Sequence, residues 1–452
     1  MHKNENRPGY KYSKVGWIPE GWDADVLGKH IDLNTGFPFR SDYYTKSNKS
    51  IKLLRGDNIA QGHLCWAEAV KWPIEDIVRL NNFHLKEGDL VIAMDRTWVK
   101  AGLKISVVRE HDLPCLLVQR VARLRAQNCL DVHYLPLLIQ RDFEQYVKGV
   151  QTETVVPHIS SKQIQDLPVS LPPLPEQKAI AGVLECWDRG IRNLELKIEK
   201  KRLIKNGLMQ RLLSGKQRLK GFTKAWKSVR LGEVFEFISS YAFSRECLTT
   251  EAIDNSDIYN IHYGDIHATY TGPILDLAKE RRVPMLKTSD ALPDKLAFLH
   301  EGDLVMADVS EDYEGIGACI ELKNLANKKL TGGLHTFVMR DTSSQTAAGF
   351  RGYMFKEYRL AKELKRIATG VSVYSLSKTN LAQIELMLPS LDEQRSITSV
   401  LWGSDEEIAA LEKKLALWKE QKKHLLNNLV TGTIRLPQFC VQENTKQEHH
   451  PN

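Results

Sequence analysis

Apolar residues recur four and three apart along two long stretches of the chain. Ile180, Leu184, Trp187, Ile191, Leu194, Ile198, Leu208 and Leu212 form the first series, and Ile397, Leu401, Ile408, Leu411, Leu415, Trp418, Leu425 and Leu429 the second. This spacing predicts two helices with heptad seams. The seams lapse at Lys201 and Lys205 in the first, and at Ser404 and Lys422 in the second. Pro172, Pro173 and Pro175 suit the start of the first helix, with Glu176 in its first turn where the dipole favours an anion. Ser214-Gly215 and Thr431-Gly432 read as C-terminal caps. About 39 residues at 1.5 Å each give a rod of roughly 58 Å.

The two stretches are copies. Leu171-Pro172-Pro173-Leu174-Pro175-Glu176-Gln177-Lys178 returns as Leu388-Pro389-Ser390-Leu391-Asp392-Glu393-Gln394-Arg395, and the register holds as far as Arg218-Leu219 and Arg435-Leu436. A register kept without gaps through charge-rich sequence marks a duplication. Two matching seams in one chain predict that they pair with each other.

Around the helices the pattern changes. Asp89–Met94, Asp303–Ala307 and Leu116–Ala122 read as short buried strands, and Tyr134–Val147 and Gly349–Arg366 as helices. The duplication continues loosely here: Trp22–Gly28 resembles Trp226–Gly232, Gly56-Asp57 resembles Gly264-Asp265, Glu87-Gly88-Asp89 resembles Glu301-Gly302-Asp303, and Ile159-Ser160 resembles Leu376-Ser377. The expected fold class is α+β, with two pseudo-repeated mixed α/β domains separated by two long helices. The boundaries read as 1–168 for the first head, 169–220 for the central helix, 221–385 for the second head, 386–436 for the distal helix and 437–452 for a polar tail. Heads that diverged on an unchanged frame suggest two versions of one task.

With 452 residues the chain can bury sizeable cores. It has no apolar run of about 18 residues, the length a membrane span needs. The polar start, Met1–Arg7, is unlike a signal peptide. Seven cysteines without a Cys-x-x-Cys pair fit a reducing cytosol better than a disulfide framework, so a cytoplasmic location is expected. The net charge of +7 is compatible with DNA without demanding it.

Catalytic signatures are absent: no phosphate-binding loop, no Asn-Pro-Pro-Tyr, no His-Glu-x-x-His and no Gly-x-Ser-x-Gly. Asp308 with Glu321-Leu322-Lys323 could hold Mg²⁺ in a nuclease or methyltransferase, but the first head has Val107 where Glu321 maps, and a solvated strand end is the simpler expectation. No catalytic residue and no metal ligand is therefore expected. Candidate DNA contacts in the first head are Tyr44, Lys46, Arg55, Asn58, Arg96, Thr97, Lys100, Thr152, Thr154 and His158. In the second they are Ser240, Tyr241, Arg245, His262, Ser310, Thr369, Ser372 and Tyr374. Such side chains can hold phosphates or read base edges.

The duplicated Leu-Pro-x-Leu-x-Glu-Gln entry resembles the specificity subunits of type I restriction–modification systems, as does Pro19-Glu20-Gly21-Trp22 leading to Leu27-Gly28. Val118–Ala122 and Gly333–Thr336 are similar to strands of that family's target recognition domains. The resemblance covers nearly the whole chain. It implies two target recognition domains, each reading one half of a bipartite site on double-stranded DNA, with the two helices forming an antiparallel coiled coil that sets the spacer. It also implies two modification (methyltransferase) subunits that bring S-adenosylmethionine, and restriction (endonuclease/translocase) subunits that use ATP and Mg²⁺, with no cofactor in this chain and no membrane partner. A stand-alone coiled-coil DNA-binding regulator is the alternative.

Overall fold

The computed structural model describes residues 7–47, 49–99, 102–150, 158–251, 258–270, 272–287, 296–325 and 327–440. The chain divides into two compact units, residues 1–194 with 414–452, and residues 195–413. Each unit is a head together with one half of each long helix.

The long helices run Leu174–Leu213 and Leu391–Thr431. Gly215 and Gly432 follow them with φ of 71° and 72°. The Gln217 and Ile434 N–H groups then reach back to the Arg211 and Asn428 carbonyls, closing the helices as a left-handed cap does. Within the first unit the helices run antiparallel. Ile180 and Leu184 near the start of one share a core with Leu426, Leu429 and Val430 near the end of the other. Asp188 meets Lys422 at 2.6 Å and Trp187 packs edge-on against Trp418. Within the second unit Met209, Leu212 and Leu213 share a core with Ile397 and Leu401, and Lys201 pairs with Glu407 at 2.8 Å.

Ten of the sixteen seam residues are buried: Ile180, Leu184, Ile191, Leu194, Ile198, Leu212, Ile397, Leu401, Ile408 and Leu429. Trp187, Leu208, Leu411, Leu415, Trp418 and Leu425 are half-buried. The three lysine lapses in the seam are filled by charge pairing, while Ser404 donates to the Val400 carbonyl of its own helix. Lys422 reaches Asp188, and its duplicate Lys205 reaches Asp405, the duplicate of Asp188. A lysine stem can cover apolar surface while its ammonium meets a carboxylate at the edge, so the lysine lapses are part of the pairing.

The heads share one topology. In the first, a four-stranded antiparallel sheet has the order Ile105–Val107, Leu90–Ala93, Val121–Ala126, Ile31–Thr35. In the second, a five-stranded sheet runs Phe235–Ile238, Thr336–Asp341, Leu304–Ala307, Cys319–Lys323, Ile274–Asp276, which is the same order plus one edge strand. Each head also has a second sheet with a parallel pair, Cys115–Leu117 with Ser50–Leu54 and Lys329–Gly332 with Ile258–Ile261.

The repeated motifs belong to this frame. In each Glu-Gly-Asp turn the glycine has φ of 84°. The aspartate is buried, accepting a backbone N–H and a two-pronged guanidinium: Asp89 takes Arg125, and Asp303 takes Arg340. Ser160 and Ser377 cap matching short helices. At the helix starts, Glu176 is 1% exposed and accepts from Trp22 Nε1 at 2.9 Å and from Arg435 at 2.9 and 2.7 Å. Glu393 repeats this with Trp226 and Arg218. The carboxylate expected to serve the helix dipole is thus the centre of a buried clamp. Gln177 and Gln394 each donate to the preceding Pro172 or Pro389 carbonyl and to a head loop.

Two expected elements are broken by the structure. Leu116–Ala122 is two strands, because Arg120 turns through φ of 64° between them. Gly349–Arg366 is two helices, Phe350–Met354 and Tyr358–Ile367, because the Glu357 carboxylate caps the second.

Candidate nucleic-acid interface

At one corner of the first head's main sheet, the chain leaves the buried strand Leu90–Ala93 and meets the left-handed turn at Arg120. The Met94 N–H donates to the Arg120 carbonyl and the Ile159 N–H to the Met94 carbonyl, which brings in His158. Asp95 sits between the guanidinium and the imidazole, with Arg120 Nη1 at 2.7 Å and His158 Nδ1 at 2.8 Å. Burial opposes its ionisation, but these partners prevail and its pKa lies below the usual carboxylate range. A groove of about 610 Å³ opens beside it, lined by Tyr44, Arg55, Arg96, Lys104, Gln119 and Arg120 among others. Arg96, with φ of 48°, and Lys46 are exposed.

The second head builds the same corner from other residues. The Asp308 N–H donates to the His335 carbonyl, and the Leu376 N–H to the Asp308 carbonyl. His335 turns through φ of 53° where Arg120 does. The carboxylate has moved one position along the strand: Asp308 takes the place of Met94, and Val309 pairs with Ser375 where Asp95 pairs with His158. His335 Nδ1 lies 3.2 Å from Asp308. Burial outweighs that contact, and the Asp308 pKa is raised. Tyr263 packs edge-on between His267 and His335. Thr369 and Ser372 are exposed, and Tyr374 stacks edge-on with Tyr313. Ser240 and Arg245 are exposed, Arg245 donating to Asp265. Tyr241 accepts the Ala297 N–H at 2.7 Å.

Four of the expected contacts hydrogen-bond within their own chain. Asn58 is 7% exposed, with its amide spent on Arg55 N–H and the Cys65 carbonyl. Thr97 donates to the Met94 carbonyl. His262 accepts the Gly264 N–H at a helix start, and burial, with Arg245 beside it, lowers its pKa. Ser310 donates to the Asp312 carbonyl. Lys100, Thr152 and Thr154 lie outside the described residues. Arg120, Asp95, Gln119 and His335 line these corners and were not among the residues singled out from the sequence. The signal was that Arg120 and His335 open matching strands with different chemistry.

The Asp308–Glu321–Lys323 set does not assemble. Glu321 pairs with Leu304 in the sheet, so Asp308 lies four residues further on, ~13 Å at about 3.3 Å per residue. Nor is Glu321 a solvated strand end. It is 2% exposed and accepts the Gly349 and Gly352 N–H groups at 2.6 and 2.8 Å. Burial pushes its pKa up to about 7 despite those donors. A raised carboxylate favours the protonated folded state, so its contribution is full below its ordinary 4.5 and is lost as pH rises through about 7. Urea unfolding should therefore show the second unit weakening over that window, and Glu321→Gln should flatten the slope. An unchanged slope in the variant would assign the pH dependence to other groups.

Two heads of one topology, each exposing a different polar set at the same corner, define a class of duplicated recognition modules on a helical frame. The family model described as "Type I restriction modification DNA specificity domain" matches residues 24–202 and again 223–417, and the chain belongs to that family. It is 34% identical over 171 residues to the type I restriction enzyme EcoAI specificity subunit of Escherichia coli, covering 37% of this chain and 28% of that one. With the MjaVIII specificity subunit of Methanocaldococcus jannaschii it shares 29% identity over 213 residues, 47% of this chain and 50% of the relative. The chain thus spans half or less of each of these two relatives. With the putative MjaX specificity subunit of the same organism it shares 24% identity, across 96% of this chain and 98% of the other. Among solved structures, a chain from the study "Structural basis underlying complex assembly and conformational transition of the type I R-M system" shares the fold with a TM-score of 0.59 at 19% identity, over 92% of this chain and 99% of that one. No helix among the described residues is long and apolar enough to cross a membrane.

Proposed function

We propose that the chain is the DNA-recognition subunit of a type I restriction–modification complex and is itself non-catalytic. Each head reads one half of a bipartite, asymmetric site on double-stranded DNA. The long helices set the spacer and dock two modification subunits and the restriction subunits, which carry S-adenosylmethionine, ATP and Mg²⁺. The observation that supports this most is the paired corner. The turn geometry is the same in both heads, but Arg120 and His158 stand where His335 and Ser375 stand in the other, and the carboxylate, Asp95 in the first head, is Asp308 one position earlier in the second. A guanidinium and an imidazole offer different donor patterns to base edges, so the half-sites should differ. Membership of the DNA specificity family and the names of its relatives support the same reading. Thr152 and Thr154 remain proposed contacts of the first head, and Thr369, Ser372 and Tyr374 of the second.

The test is exchange of residues 221–385 for the second head of another family member, with methylation mapped across a genome by the complete complex. One half-site should change while the other stays. Alteration of both would mean that the heads do not read independently, and specific DNA binding without any partner subunit would favour a stand-alone regulator.

A further inference from the structure

Away from the sheet corner, the first unit holds a relay of a thiol, an imidazole and a carboxylate. Cys129 is exposed, and its Sγ lies 3.3 Å from Nδ1 of His30. The other ring nitrogen, Nε2, lies 3.2 Å from Asp25 Oδ2. The remaining Asp25 oxygen accepts the Val26 N–H at 2.9 Å, with Lys29 at 3.1 Å and Lys14 at 3.5 Å. The Val26 N–H and Lys29 hold the Asp25 carboxyl well below the usual range. An ionised Asp25 accepts a hydrogen bond from Nε2–H, and that tautomer leaves the Nδ1 lone pair facing the thiol. The His30 side chain is 12% exposed, so the ring is held in place while the sulfur stays open to solvent.

The second head shows that the frame does not need this relay. The Cys129 carbonyl accepts from Gln177 as the Gln345 carbonyl accepts from Gln394. The residues in register with Asp25 and His30 are Val229 and Val234. Scaffold geometry is kept there, while thiol, imidazole and carboxylate are all gone.

We propose that Cys129 is a reactive thiol that forms mixed disulfides with low-molecular-weight disulfides, with His30 as its base and Asp25 as the carboxylate that positions the ring. His30 Nδ1 takes the thiol proton, and the thiolate attacks one sulfur of the reagent. Its S–S bond breaks as the new one forms, and the departing thiolate takes the proton from His30. The reagent is the oxidant, so electrons balance. The adduct would stand on the loop where the Cys129 carbonyl and the Asp131 N–H both meet the Gln177 amide, at 2.7 and 2.8 Å.

The test is limited alkylation of the full chain with iodoacetamide, read by peptide mass spectrometry. Cys186, exposed on the central helix, is the internal reference, and buried Cys115 and Cys319 report folding. At pH 7 Cys129 should react about tenfold faster than Cys186, and His30→Asn should bring the two rates together. Glutathione disulfide should add one reducible glutathione at Cys129, and Cys129→Ser should abolish it. Equal rates in the unaltered chain would overturn the proposal, as would an undiminished excess in His30→Asn with Cys115 and Cys319 still protected. If the variant exposes those two cysteines, the pH profile of the unaltered chain decides. An excess kept down to about pH 6 supports the relay, and a profile parallel to that of Cys186 overturns it.

Discussion

Replacing Glu176 by alanine should destabilise the first unit by roughly 3 kcal/mol, the cost of leaving a buried ion pair with one partner. Glu176 is 1% exposed and the Arg435 side chain 19%, so solvent recovers little of the lost contact. The change also strips the hydrogen bond from Trp22 Nε1, in a side chain with no exposed surface. Three distant stretches meet at this carboxylate: the strand pair near the N-terminus, the start of the central helix and the chain leaving the distal helix. Urea unfolding followed by hydrogen exchange in residues 10–35 and 425–436 should show the loss there. Arg435→Ala should cost a comparable amount, because it leaves the buried carboxylate with Trp22 alone, and the double variant should cost less than the sum of the two. Additive effects, or a loss at Glu176 under about 1 kcal/mol, would show that the clamp is incidental. Glu393→Ala should act in the same direction on the second unit, through Arg218 and Trp226.

Insertion of a heptad after Glu195, matched by one after Glu412, should abolish modification of the original DNA site. The paired insertion keeps both seams in register. It adds ~10 Å to each helix at 1.5 Å per residue, which is about three base pairs at 3.4 Å each. Those base pairs turn one half-site by roughly 100° about the duplex at ~10.5 per turn. Weak activity on a lengthened spacer is the most the variant should retain. Methylation of genomic DNA by the complex containing the variant would show the spacer directly. Full activity on the original spacer would make the helices a tether and remove their role in measuring the site.

The sequence alone determined the helices, their ends, the duplication and the α+β heads. These are local properties: the heptad seam is written in residues three and four apart, and Gly215 and Gly432 stop the helices within one turn. The repeated pairs Glu176/Glu393 and Asp89/Asp303 were visible as repeats, but their partners were not. Arg435 lies 259 residues from Glu176, and no short-range pattern carries that pairing. The same limit held at the sheet corner. Asn58, Thr97, His262 and Ser310 have the chemistry to read a base, and a backbone carbonyl or N–H satisfies it equally well. Whether such a group is spent on its own chain or left open depends on which distant strand brings a partner within hydrogen-bond reach. Arg120 and His335 show the converse. A left-handed residue in a run of strand-forming sequence leaves no periodic trace, and only the folded sheets put it at the open corner.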